Sequence, residues 1–168
     1  MAHRQAQVIP KEDIPNRAAL RADLEATRTA FHALLDSIPA EAWRRKGDST
    51  AWTVREIVTH LVHDIESIPQ FVAHAKAGKN FLNMPSFITG KLNYLLSRFK
   101  ARNATPQSLA QAFDTHLEKA LATLEEVQDD EWQRGAEFFG EGYWTVETIF
   151  KNVPRHFQEH AAQIKGSI

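Results

Sequence analysis

A chain of 168 residues, 43% of them hydrophobic, fits one domain with a core of its own. A net charge of −1 argues against the strong positive field of a nucleic-acid or anionic-membrane binder. The absence of cysteine excludes disulfides, thiolate metal ligands and a cysteine nucleophile.

No apolar run approaches the roughly 20 residues of a membrane span. The first residues, Met1 to Gln7, lack the apolar centre of a secretory leader, so a cytoplasmic protein is expected. Residues 1–12 show no periodicity and read as a flexible arm. Asp13 to Asn16, with Pro15, marks a helix start. From there Leu20, Leu24, Thr27, Phe31, Leu34 and Ile38 recur at helical spacing, and Pro39 stops the pattern. The second helix opens on Thr53 with Glu56 three residues on, a capping box, and Trp52 and Ile57 stand where a hydrophobic staple would. Its stripe runs Val54, Ile57, Val58, Leu61, Ile65, Ile68, Val72. Pro69 is expected to kink or break it, and the pattern fades at Gly78.

Residues 77–105 form the longest connection. Phe87, Ile88, Leu92, Leu95, Leu96 and Phe99, flanked by Lys91, Arg98, Lys100 and Arg102, make a short basic amphipathic piece. Its apolar face is expected to pack on the side of a bundle rather than on a membrane. The third helix opens with Thr105 as cap and Pro106 in its first turn, and its stripe is Leu109, Phe113, Leu117, Ala120, Leu124, Val127. His116 lies at the edge of that stripe, either as a hydrogen-bonded core histidine or within reach of a site. A glycine-containing loop with Phe138, Phe139 and Tyr143, expected at a pocket mouth or over the core, leads to the fourth helix, capped by Thr145.

A shift of 89 positions lays the first helix on the third, with Leu20 on Leu109, Ile38 on Val127 and Trp43 on Trp132. After three extra residues, Trp52-Thr53-Val54 falls on Trp144-Thr145-Val146. The fold expected is therefore all-α: a single domain over 1–168, a four-helix bundle of two repeated helical hairpins, with a crossover at 77–105 carrying a short extra helix. A simple hairpin link needs only about 2–8 residues, so the long connection suits a crossover.

His156 and His160 lie one turn apart on one face of the fourth helix. His60 and Asp64 occupy the corresponding flank of the second. Two such helices packed together would bring three imidazoles and a carboxylate into one pocket, as in bundle metal sites. His60, His156 and His160 are thus candidate ligands of a divalent transition metal, zinc, nickel, iron or copper. Asp64 is a fourth ligand or a positioning group beside them. Three protein ligands leave a coordination position open, which marks catalytic rather than structural sites. Pro154 is expected to kink the fourth helix near the histidine pair. His32, His63 and His74 fall away from the site, and Glu159 reads as solvated.

Trp52-Thr53-Val54-Arg55-Glu56-Ile57-Val58-Thr59-His60-Leu61 together with His156-Phe157-Gln158-Glu159-His160-Ala161-Ala162-Gln163-Ile164 resembles the DinB-like (DinB/YfiT) superfamily. The resemblance implies a four-helix bundle with metal ligands at His60, His156 and His160, and a homodimer in many members. It also implies a metal-dependent enzyme of the kind that uses a low-molecular-weight thiol, most readily a transferase acting on a small electrophile. The alternatives are a metal-dependent hydrolase or a non-catalytic module that sequesters metal or a small molecule. A small-molecule substrate is expected, with no nucleic-acid or membrane partner.

Overall fold

Helix α1 (Arg17–Ser37) begins where the Asn16 side chain accepts a hydrogen bond from the Ala19 amide at 3.1 Å. It stops at Ile38, whose extended backbone is what the following proline favours. The structure is a computed structural model describing residues 14–168 apart from 83 and 141, with only the backbone at Ser86. The expected arm at 1–12, with His3, and the proposed start at Asp13 lie outside the described residues.

Helix α2 (Val54–Ala77) opens on the expected capping box. The Glu56 amide donates to Thr53 Oγ1 at 3.3 Å and the Thr53 amide donates to Glu56 Oε2 at 2.8 Å. The break expected at Pro69 does not occur. Buried Ile65, Ile68, Phe71 and Val72 on both sides of it hold the helix to the core through the missing hydrogen bond. Gly78 ends the helix in the left-handed region at φ 63°, where a glycine carries no Cβ penalty.

Helix α3 (Ser86–Lys100) crosses over as expected but is turned the other way. Thr89 and Ser97 are its buried residues, whereas Phe87, Leu95 and Phe99 are more than half exposed. Thr89 and Ser97 thus mark the buried side of α3, Leu92 and Leu96 line the cavity beside it, and Phe87, Leu95 and Phe99 project outward. One apolar stripe does not by itself say which neighbour it meets.

Helix α4 (Pro106–Glu125) is capped by Thr105 with Pro106 in its first turn. The expected loop after it contains a hairpin that sequence periodicity did not reveal. Strand β1 (Gly135–Phe138) pairs antiparallel with β2 (Gly142–Thr145) in the register Gly135–Thr145, Ala136–Trp144 and Phe138–Gly142. Four-residue strands are too short for a clear alternation. Helix α5 (Val146–Lys165) is capped by Thr145 and continues through Pro154.

Both α1 and α2 pack on both α4 and α5, so the two helices of each half lie across the bundle from one another. Phe31 and Phe113, fully buried, stack at 3.9 Å between ring centroids where α1 meets α4. Each such ring contributes on the order of 2–3 kcal/mol of burial. The repeat survives in the backbone. Ile38 to Leu35 O, Arg45 to Ala42 O and Val54 to Arg45 O recur as Val127 to Leu124 O, Arg134 to Glu131 O and Val146 to Arg134 O. Among the described residues no helix is long and apolar enough to cross a membrane.

Candidate metal centre

His60 is the buried member of the site, 4% exposed, and sits two turns into α2 where that helix faces α5. His156 and His160 come from the middle of α5 and are half-buried. The helical spacing of four brings both α5 rings against His60, with centroids 5.1 Å and 4.9 Å from it and 4.5 Å from each other. One nitrogen from each ring lies within 4.8 Å of the others.

The contacts are directional. His60 Nε2 and His156 Nε2 are 3.0 Å apart. Two ligand nitrogens on one tetrahedral zinc would be separated by about 3.3 Å, given Zn–N bonds of about 2.0–2.1 Å. His160 Nδ1 is 2.8 Å from Gln163 Oε1, an acceptor, so Nδ1 carries the proton and the Nε2 lone pair is left free. Among the described residues His60 Nδ1 is buried without a hydrogen-bond partner, so the polar contacts of this ring gather at Nε2. This donor set fits an imidazole-bound divalent transition metal.

Asp64 lies against the same point. Its Oδ2 is 2.6 Å from His156 Nε2 and 3.3 Å from His60 Nε2. Burial works to raise its carboxyl, but His60 and His156 outweigh it and hold the group ionised below the usual carboxylate range. Burial also drives His60 down to about 4, against the pull of Asp64. His160 is lowered by burial and by the His156 charge. His156 goes the other way: burial opposes its charge, but the hydrogen bond and charge of Asp64 raise it. Asp64 thus favours a proton on His156, whereas His60 and His160 are pushed toward their neutral forms.

A cavity of about 550 Å³ opens from this cluster and runs along α2 under α3. Asp64, His60 and His156 line one end; Phe71, Phe81, Phe139 and Trp144 also line it. Of the three aromatics expected at a pocket mouth, only Phe139 lines it. Phe138 is fully buried, and Tyr143 is 60% exposed because the strand alternation that turns Trp144 inward turns its neighbour out.

His116 does not reach the three histidines. It lines a second cavity of about 380 Å³ with His63, Glu66 and Lys100. There Lys100 Nζ is 2.6 Å from Glu66 Oε2 and holds that carboxyl down at about 2. His32 meets Asp114 at 2.9 Å and His74 the Lys79 carbonyl at 3.2 Å, both away from the site. Glu159 is exposed and pairs with Arg155 at 2.6 Å. Gln163 is the site residue that sequence reading passed over, although its i+3 spacing from His160 was the available signal.

A family model described as the DinB superfamily matches residues 23–164. The chain belongs to the DinB superfamily. Solved structures show the same fold at low identity. YfiT from Bacillus subtilis, described as a probable metal-dependent hydrolase with an unusual four-helix bundle topology, is 16% identical with a TM-score of 0.74. The match covers 95% of this chain and 88% of that one. A mycothiol-dependent maleylpyruvate isomerase is 11% identical with a TM-score of 0.71 over 94% of this chain. This DinB-superfamily chain spans only 63% of that protein's length. The colibactin self-resistance protein ClbS, solved with double-stranded DNA, is 14% identical with a TM-score of 0.67, covering 90% of this chain and 94% of that one. No curated protein matches the sequence.

Proposed function

We propose that His60, His156 and His160 hold a divalent transition metal, zinc or nickel before iron or copper. We further propose that the protein is a metal-dependent transferase that joins a low-molecular-weight thiol to a small electrophile. The observation that carries this reading is the convergence of three imidazoles, one nitrogen from each within 4.8 Å of the others, beside an ionised carboxylate at one end of a cavity. Three protein ligands leave coordination open, and when bound such an ion makes a thiol or water more acidic.

The chain's own groups divide the remaining work. Gln163 fixes the tautomer of His160. Asp64 Oδ2, within 3.3 Å of both His60 Nε2 and His156 Nε2, stands beside the ligand nitrogens and accepts the proton that the nucleophile gives up. The apolar side chains of the cavity keep competing water from the reacting atoms. Two structural neighbours support the reading by description, one mycothiol-dependent and one a probable metal-dependent hydrolase.

Asp64 would serve water as well as a thiol, which keeps hydrolysis as the second reading. The test is turnover of a panel of electrophiles by metal-loaded protein, with and without thiol. Product that requires thiol and exceeds the His156→Ala background supports the transferase. Product without thiol assigns hydrolysis. Stoichiometric binding with no product makes the protein a sequestering module.

A further inference from the structure

The cavity is chemically two-ended. Among the described residues, every charged or titratable side chain that lines it comes from residues 60–64 of α2 or 155–159 of α5. Toward the other end of α2 the wall is made by Phe71, Phe81, Phe139 and Trp144, with Leu82 beside them. Phe71 meets Phe81 at 5.1 Å and Phe139 at 5.4 Å between centroids, and Phe139 meets Trp144 at 5.8 Å, all edge to face. Seven residues separate Asp64 from Phe71 on α2. At about 1.5 Å per residue the aromatic wall lies roughly 10 Å from the polar end.

Two of the wall residues stand on costly backbone. Phe139 has φ 58° and Leu82 φ 44°, in the left-handed region that bulky residues avoid. The neighbouring Gly140, at φ 71°, shows that glycine was available to this turn. Strain of this sort persists where the surroundings over-determine it, and here the surroundings do. The Phe81 amide donates to Glu137 O and the Phe139 amide to Phe81 O, each at 3.0 Å, tying the crossover to the hairpin tip. Both strained residues turn their side chains to the cavity.

We infer that this end is an aryl-binding subsite, and that the molecule seated at the histidine end carries a neutral aromatic ring about 10 Å from its reacting group. The thiol or electrophile of the proposed reaction is thus an arylalkyl compound rather than a small polar one. The inference rests on the proposed reaction for the identity of the polar end only. The ring subsite is built of protein side chains and is present with or without an ion. Rings that already meet edge to face can take a further ring in the same geometry, which favours an aromatic guest over an aliphatic chain.

The test is calorimetric titration of 4-phenylbutane-1-thiol and butane-1-thiol into wild-type protein, metal-free and cobalt-loaded, with the cobalt–thiolate absorption read in parallel. The aryl thiol is expected to bind at least about tenfold more tightly in both forms, as burial of a ring predicts. Phe139→Gly, whose relief of left-handed strain offsets only part of the lost ring packing, should lower the melting temperature by about 10 °C or less and cut the aryl preference to about threefold or less. Leu82→Gly, at a 40% exposed position, is the second variant and should lower the preference by a smaller factor. Equal affinities for the two thiols, or a preference untouched in both variants, would overturn the subsite. An aryl preference without any cobalt–thiolate band would leave the subsite standing and sink the metal reading instead.

Discussion

In the first half of the chain the turn before α2 is closed by a single bridge, Lys46 to Thr53. At the equivalent place in the second half, Gly135 to Thr145 is the first rung of a four-pair hairpin. Three extra residues make the difference. Trp52 lies 5.0 Å from the His60 ring, whereas its counterpart Trp144 packs on Phe138 and Phe139 and lines the cavity. The helices that follow differ in the same way. His60 stands where α5 has Asn152, Asp64 where it has His156, and Ile68 where it has His160. A duplicated backbone brings equivalent faces together, but the polar groups that meet are not equivalent. The two halves therefore contribute three imidazoles and one carboxylate instead of a symmetric set.

The sharpest way to break this comparison is to remove the α5 contribution. His156→Ala is expected to lower bound metal below about 0.1 equivalent by elemental analysis and to cost at least ~1,000-fold in any turnover. Asn152→Ala, at the position matching His60, should leave metal content unchanged. If both variants lose metal equally, the ligand assignment is wrong.

Asp64→Asn keeps the shape at the middle of the cluster and removes the charge. It should retain metal and lower turnover by about 100-fold or more, the usual range for a lost proton acceptor. Gln163→Ala frees the His160 tautomer and should weaken metal affinity by about 10–100-fold, read by competition with a chelator.

Protons sharpen the comparison further, because His60 and His156, one from each half, shift in opposite directions. In metal-free protein His60 is lowered to about 4, so the unfolded chain binds its proton first. Its contribution is complete above pH 6.5 and is lost as pH falls toward 4, by on the order of 3 kcal/mol at most. His156, raised above 6.5, contributes stability below that pH and loses it as pH rises through its folded value. Chemical denaturation across this window should show an acid limb that His60→Gln flattens, and an alkaline step that His156→Gln removes.

The smallest effect is expected away from the site. Lys100 and Glu66, about 40% exposed, tie α3 to α2 in the second cavity. Lys100→Ala should cost less than about 1 kcal/mol in denaturant titration, and less again at high salt, because water screens exposed pairs. Metal content should not change.

The sequence alone determined the helices, their caps, the duplicated plan and the ligand candidates. Apolar period, Thr-x-x-Glu and Trp-Thr-Val signals, and the spacing of His156 and His160, are local features that a helix turns directly into shared faces. The tertiary structure decided what no single helix encodes. It set which helices adjoin, so that His60 meets His156 while His116 faces a different cavity. It buried Thr89 and Ser97 of α3 while leaving Phe87, Leu95 and Phe99 outside, and it raised Phe139 and Leu82 onto strained backbone at one end of a long cavity. The reason is physical: a face is a property of one element, but which face meets which depends on long-range packing, and neighbouring residues in the chain do not carry it.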